Sequence, residues 1–363
     1  MKKKILNEKK GWWAPHTNPI LNSKKISVVL RENRASLGKE TYRLENILKK
    51  KLKVKYVILT NSGTSALYMA TMLANIQKRK NIYSPAINWP GSINAALFAG
   101  KKLNLIDCKN NYINGDYSSL QNKLKKNDVV YLTHLNGKCA YKKDFVKYWK
   151  KKNFFVIEDA AQSFMVKDYN KKFVGTQFDV GCFSLGITKI CNMIYGGFCA
   201  TNKLSYAKEL LKFRNNGVDN EYQKPSGIGG NFKPSDVHAV VGIDSVNSFL
   251  KIKKKLFQIY NLYKKNLNKN NFKFFEYDIK KGEIPNYVEV LVRKRMKFIK
   301  YLKNNNISFS YGTRMLNLSK NYSKFDKINN AIKFDQEIIR LSCGPGCSIL
   351  KIKKQIKIIN NFN

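Results

Sequence analysis

Short, wholly apolar runs recur along this chain, each followed by a small polar turn and then by apolar residues at helical spacing. Lys55–Thr60, Asn81–Pro85, Lys102–Asp107, Asp128–His134 and Phe154–Asp159 are runs of this kind. A short apolar run bounded by polar residues reads as a strand buried on both faces. Between the runs, Tyr42, Leu44, Ile47, Leu48 and Leu52 recur at helical spacing, and Ala66–Ala70, Ala95–Leu97 and Asp144–Trp149 continue the rhythm. Alternation of this kind argues for an α/β layer built on a largely parallel sheet. Ligands of such sheets sit at the carboxyl ends of the strands. Ser62–Ser65, Trp89, His134, Asp159 and Gln162 all fall at such ends.

A chain of 363 residues has length for two domains. We expect a large domain over 1–245, including an N-terminal extension, and a smaller α/β domain over 246–363. The second part carries strand-like Tyr287–Val292, Ile307–Phe309 and Ile338–Leu341 and a helical Met296–Leu302. A helix with Ile252, Leu256, Ile259 and Tyr263 on one face leaves the first domain. The first forty residues read as irregular, with Trp12-Trp13 serving packing.

Lys and Arg number 68 against 24 Asp and Glu, a net charge of +44. Such a balance raises nucleic acid or an anionic membrane as partners. The lysines are scattered along the whole chain, often beside Asn and Ile, and form no stripe. That pattern fits solvated faces, so neither a specific nucleic-acid surface nor membrane insertion is expected. The seven cysteines form no Cys-x-x-Cys pair, which points away from a disulfide framework or metal site and toward a reducing cytoplasm. Met1–Asn7 is charged without an apolar stretch behind it, unlike a signal peptide. No run approaches the ~18 apolar residues of a membrane span.

The stretch from Phe154 to Lys189 concentrates functional groups. Asp159 is a carboxylate at a strand exit, Gln162 an amide, Ser184 a hydroxyl, and Lys189 an amine. Together these are the groups that pyridoxal 5′-phosphate (PLP) asks of a protein. Upstream, Asn61-Ser-Gly-Thr-Ser65 between a strand and a helix makes a phosphate site by simple physics. Free N–H groups and the positive helix end face the turn, and Gly63 lets the backbone come close. Each residue has a plainer reading. The Ser-rich turn serves equally as a helix cap, Asp159 as a strand-end acid, Lys189 as one surface lysine among many, and Trp89 as core.

Taken together, the motifs resemble a family. Asn61-Ser-Gly-Thr-Ser-Ala-Leu67, Pro85-x-x-x-Trp89, Glu158-Asp-Ala-Ala-Gln162, Cys182-Phe-Ser184-x4-Lys189, Gly196-Gly197 and Gly230-Asn231-Phe232 follow the order of the DegT/DnrJ-type (StrS-like) nucleotide-sugar aminotransferases. Several motifs in one order are specific where any single one is weak. The resemblance implies PLP-dependent transferase fold type I: a mostly parallel seven-stranded sheet sandwiched by helices, plus the smaller C-terminal domain. It implies transamination of a keto group on a nucleotide-activated sugar, with glutamate as amino donor, for surface polysaccharide biosynthesis.

The resemblance also implies roles. Lys189 would hold PLP covalently and carry the proton, Asp159 would pair with the ring nitrogen, and Gln162 would meet the phenolic oxygen. Trp89 would stack on the ring. Gly63, Thr64 and Ser184 would bind the phosphate, with Ser65 adding a backbone contact. Asn231 would reach the phosphate of a neighbouring subunit, making a homodimer with shared sites. His134 is either near the site or a satisfied strand-end residue. The chain departs from the family at Ile194-Tyr195, where Gly-Glu is usual, at Phe232-Lys233, where an Arg is usual, and around Met315-Leu316-Asn317, where Pro-Leu-His is usual. Two other readings compete. One is a dehydratase of the same family, against which Lys189 argues, since His replaces it there. The other is a non-catalytic basic nucleic-acid-binding protein.

Overall fold

Two sheets divide the chain unequally. The computed structural model describes residues 11–32, 35–75, 78–110, 112–120, 123–142, 144–152, 154–219, 223–316, 323–324 and 327–362. The N-terminal Met1–Asn7 run and Asn317 lie outside these described residues. In chain order the elements are α1 (Pro19–Arg31), α2 (Lys39–Leu52), β1 (Tyr56–Thr60), α3 (Gly63–Leu73), β2 (Ile82–Pro85), α4 (Asn94–Phe98), β3 (Leu103–Ile106), β4 (Val129–Thr133), α5 (Phe145–Lys150), β5 (Phe155–Asp159), β6 (Val180–Ser184), β7 (Gly197–Thr201), α6 (Leu204–Arg214) and α7 (Asp236–Asn247). They continue with α8 (Phe249–Asn266), β8 (Lys273–Phe274), β9 (Glu289–Leu291), α9 (Arg295–Asn304), β10 (Phe309–Ser310), β11 (Ser323–Lys324), α10 (Asn329–Glu337), β12 (Ile338–Leu341) and α11 (Ile349–Ile359).

The large sheet runs β1-β7-β6-β5-β4-β2-β3-β11, and the small one β10-β12-β9-β8. In the large sheet only β7 runs against its neighbours β1 and β6. The ends of β1, β2, β4, β5 and β6 therefore share one edge. Seven strands are those expected; the eighth, β11, is a two-residue strand from the C-terminal half that pairs in parallel with β3. Every residue of β4 and β5 is buried, as continuous apolar runs in a parallel sheet require. Alternate residues feed two cores: Val130, Val156 and Phe183 face one, while Tyr131, Ile157 and Cys182 face the other. The first core runs on without a break to Phe298, Ile339 and Ile352 of the C-terminal half.

The N-terminal segment corrects one expectation. It holds α1, opened by the Asn18 side chain accepting from Leu21 N at 3.4 Å and by Pro19 in the first turn. Only Asn22 and Val29 of this helix are buried, and Ile20, Val28 and Leu30 are exposed, so its sequence shows no clean apolar stripe. The helix packs against α7, a contact far away in sequence. Trp13 is buried, as packing implies, with its ring 5.4 Å from that of Tyr287. Ala14 N donates to Cys343 O at 3.0 Å, and Cys343 N to Trp12 O at 2.7 Å, tying the N-terminal segment to the C-terminal half.

Asp236 opens α7 and at the same time closes the start of α2. Its carboxylate accepts from Gly38 N at 2.9 Å, Glu40 N at 3.0 Å, Thr41 N at 3.2 Å and the Thr41 hydroxyl. Gly38, at the cap position itself, has no side chain to do this. Asp236→Ala is expected to lower stability by about 2 kcal/mol or more, the high end for a lost cap, because several buried donors lose their partner. A urea melt at neutral pH checks it; a loss within a few tenths of a kcal/mol would contradict the capping role.

Candidate active site

The shared strand edge brings the motif residues together. At the exit of β1, Ser62 caps α3 by accepting from Ser65 N at 3.0 Å, and Ser65 Oγ donates to Asn61 Oδ1 at 2.6 Å. Ser65 is thus buried and occupied with its neighbours, whereas Thr64 is exposed. The first N–H groups of a helix have no intrahelical partner, and they carry its positive end. Opposite stands Ser184, at the exit of β6. A Cβ built on Gly63 would lie 2.6 Å from Ser184 Cβ and 3.0 Å from its Oγ, so only glycine permits this approach. Between the two passes Gly197, paired with both Thr60 and Ser184, where a Cβ would fall 2.5 Å from Gly63 N. Gly63, Thr64 and Ser184 therefore line one cradle whose width depends on Gly197, and its free N–H groups and hydroxyl are donors that suit an anion.

Overpacking at such a point costs roughly 1–3 kcal/mol. Gly197→Ala is expected to weaken binding of PLP by about tenfold to a hundredfold, at 1.4 kcal/mol per decade. Equilibrium titration followed by visible absorbance checks this; unchanged affinity would remove the cradle from the site.

Two consecutive acids end β5, and alternation sends them to opposite faces. Glu158 is a structural anchor: it accepts from Gly175 N at 2.7 Å, Gln177 N at 3.0 Å, Phe178 N at 3.3 Å and His134 Nε2 at 3.2 Å. His134 Nδ1 accepts from Ala140 N at 3.1 Å. Both ring nitrogens of His134 are thereby used, and it is a satisfied buried residue rather than part of the site.

Asp159 is different. It is 3% exposed, and its oxygens accept from Ser92 Oγ at 2.5 Å and Ala161 N at 3.0 Å. No cation pairs with it among the described residues. Burial pushes its carboxyl above the ordinary 3.8, and the Ser92 and Ala161 donors and the charge of Lys189 only partly offset this. A buried carboxylate without an ion-pair partner leaves an acceptor open to a cationic group.

The one proton of the Ser92 hydroxyl has a second acceptor in reach, Asn88 Oδ1 at 3.1 Å, which also accepts from Trp89 N at 2.8 Å. The same amide donates to Ser84 Oγ at 3.3 Å and Thr133 Oγ1 at 3.2 Å. Asn88 thus orients the backbone of Trp89 and competes with Asp159 for the Ser92 proton. Trp89 is 63% exposed, so the core-packing reading fails and its ring is free to cover a ligand. Ser92 and Asn88 were not singled out in the sequence. The signal lay in polar residues just past a strand end, on the short 3₁₀ turn Pro90–Ser92.

Lys189 follows the turn after β6, where its own N–H donates to Gly186 O at 2.9 Å. It is half-buried, and its charge acts on Asp159. Its ammonium has no hydrogen-bond or ion-pair partner among the described residues. Gln162 is 8% exposed. Its Oε1 accepts from Asn136 N at 3.1 Å, and its Nε2 donates to Thr313 Oγ1 at 3.1 Å. Asn231 is exposed, with its backbone O accepting from Asn61 Nδ2 at 3.1 Å beside the cradle.

An anion cradle, a buried carboxylate without a cation, an exposed indole and a free amine on one edge fit the phosphate, ring nitrogen, ring face and aldehyde of PLP. The comparisons with known proteins agree. The chain is 28% identical over 240 residues to GDP-perosamine synthase of Escherichia coli O157:H7, a match covering 64% of this chain and 65% of that protein. It is 27% identical over 254 residues to UDP-4-amino-4,6-dideoxy-N-acetyl-beta-L-altrosamine transaminase of Campylobacter jejuni, covering 68% of this chain and 67% of that one. The fold superposes on a DegT DnrJ EryC1 StrS aminotransferase from Brucella abortus with a TM-score of 0.86 at 21% identity, over 94% of this chain and 95% of that one. These findings support PLP as the cofactor. The model of the DegT/DnrJ/EryC1/StrS aminotransferase family matches residues 21–360, and the chain belongs to that family.

Proposed function

We propose that this protein is a PLP-dependent aminotransferase that converts a keto group of a nucleotide-activated sugar to an amine, with glutamate as the amino donor. The observation that carries the reading is Asp159, buried at the end of β5 with no ion-pair partner among the described residues and within the field of the Lys189 charge. Bound PLP supplies an electron sink for a carbanion, which a protonated ring nitrogen strengthens. In this reading Asp159 keeps that nitrogen charged, Trp89 holds the plane of the ring, and Gly63, Thr64 and Ser184 hold the phosphate. Lys189 Nζ would be the group that holds the cofactor, and as a free amine it would carry a proton to or from the substrate carbon. The relatives named above act on GDP- and UDP-linked sugars by name, and this supports the substrate class.

A homodimer with shared sites is part of the proposal. Tyr195 is 68% and Ile228 82% exposed, both on segments beside the cradle glycines, and a second copy would cover them. Asn231 would then present its side chain to the partner's phosphate. We keep 1–245 as the PLP-binding unit and 246–363 as the smaller one. A cytoplasmic setting accords with seven free thiols, including Cys182 and Cys199, which sit opposite each other on adjacent strands. No helix among the described residues is long and apolar enough to cross a membrane.

The test is spectral. Purified protein incubated with PLP should gain the visible absorbance of lysine-bound cofactor, and glutamate should convert it to the pyridoxamine form. Protein that stays colourless would falsify the reading. Conversion of a GDP- or UDP-linked keto sugar to its amine completes it.

A further inference from the structure

Gln162 is one member of a closed ring of buried side chains drawn from both halves of the chain. Its Nε2 donates to Thr313 Oγ1, which also accepts from Arg340 Nη2 at 3.2 Å. Arg340 donates to Glu289 Oε1 through Nε at 3.0 Å and Nη2 at 2.5 Å. The other Glu289 oxygen accepts from Asn136 Nδ2 at 2.7 Å, and Asn136 N returns to Gln162 Oε1 at 3.1 Å. All five residues are buried. The Arg340 guanidinium lies 3.7 Å from the Tyr287 ring centroid, and the Tyr287 hydroxyl donates to Thr188 O at 3.1 Å. Thr188 is the residue before Lys189.

The ring decides how the Gln162 amide is turned. A backbone N–H and a hydroxyl oxygen are chemically unlike: Asn136 N can only donate, and Thr313 Oγ1 is already an acceptor for Arg340. The carbonyl side of the amide must therefore face Asn136 and the NH₂ side Thr313. One N–H of Gln162 is left over. Turning the amide round would set donor against donor at Asn136 inside a buried site, which is costly.

We infer that Thr313, with the Glu289–Arg340 ion pair behind it, is a positioning residue that locks Gln162 as a hydrogen-bond donor toward the cofactor. The inference rests on the aminotransferase reading for what Gln162 touches, and on the chain's own geometry for how Gln162 is held. The small sheet thus acts on the site without reaching it: β9 and β12 set Gln162 through Thr313, and Tyr287 holds the peptide before Lys189.

Thr313→Val keeps the shape and removes the hydroxyl, and Thr313→Ser keeps the hydroxyl. Two measurements separate the claims. In PLP-free protein, hydrogen exchange at the Asn136 amide should become about tenfold faster in Thr313→Val, because its acceptor Gln162 is released from one side. In PLP-loaded protein, the pH midpoint of the visible absorbance should rise by about 0.5 to 1 unit, since a lost donor no longer stabilises the ionised oxygen. Thr313→Ser should restore both values. Faster exchange with an unmoved midpoint overturns the inference, because the ring is then only structural. Unchanged values in both measurements overturn it as well. Wild-type protein that takes up no PLP overturns the preceding reading and the donor role together, an outcome distinguishable from the other two at the first titration.

Discussion

Lys189→Ala is expected to lower the proposed transamination turnover by about 10⁴-fold, the upper range for a positioned acid–base group. The size of the expected loss follows from what else is near. His134 is committed to Glu158 and Ala140 through both ring nitrogens, so it has no free nitrogen to carry a proton. Glu158 is filled by backbone donors. Asp159 sits at the same edge, but its two oxygens already accept from Ser92 and Ala161. The cradle and Asp159 remain in the variant, so PLP should still bind, without the absorbance of the lysine-bound form. Lys189→Arg should be nearly as inactive, because a guanidinium keeps the charge but does not release a proton at working pH. Added small primary amines should restore part of the turnover of Lys189→Ala. Turnover is measured with glutamate and a nucleotide-linked keto sugar. Wild-type rates in the alanine variant would remove Lys189 from the mechanism.

Asp159→Asn separates function from stability. Turnover should fall by roughly 10²–10³-fold, the scale seen when one preorganised electrostatic group is removed. PLP-free stability should move the opposite way. Burial raises the Asp159 carboxyl in the folded protein, so its contribution to stability is fully present below the ordinary value near 3.8 and is lost as pH rises through the folded value. At neutral pH the PLP-free wild type carries the cost of a buried, unpaired carboxylate. Asparagine carries none, so the variant should melt higher than wild type without PLP, and the gain should shrink toward pH 4. With PLP bound the ranking should reverse, because the ring nitrogen supplies the cation that the carboxylate lacks. Parallel thermal melts at pH 4 and pH 7, with and without PLP, check all four values. A variant that melts lower than wild type at pH 7 without PLP would show that Asp159 is held for packing.

Much of the large sheet was legible because its determinants are local. Five buried runs with helices between them specify parallel strands, and α2, α8 and the smaller helices follow their apolar spacing. The helix α1 was missed because its apolar residues Ile20, Val28 and Leu30 face outward. Its packing partner, α7, lies more than two hundred residues away. The two-residue strands β8 and β11 are too short to show any period, and β10 overlaps the expected Ile307–Phe309 run at Phe309.

The site divides along the same line. The sequence by itself determined that a carboxylate, an amide, a hydroxyl, an amine and a glycine turn lie at strand ends, since strand exits and turn residues are written in neighbouring positions. Tertiary structure alone decided which groups are free to act. Of two adjacent acids it saturated Glu158 and left Asp159 unpaired; it withdrew His134 and exposed Trp89. It also joined Asn136 to Glu289 across 153 positions and Gln162 to Thr313 across 151. Hydrogen bonds at that separation leave no periodic trace in a single chain. They exist because burial demands a partner for every polar group, and only the packed fold determines which partner is within reach.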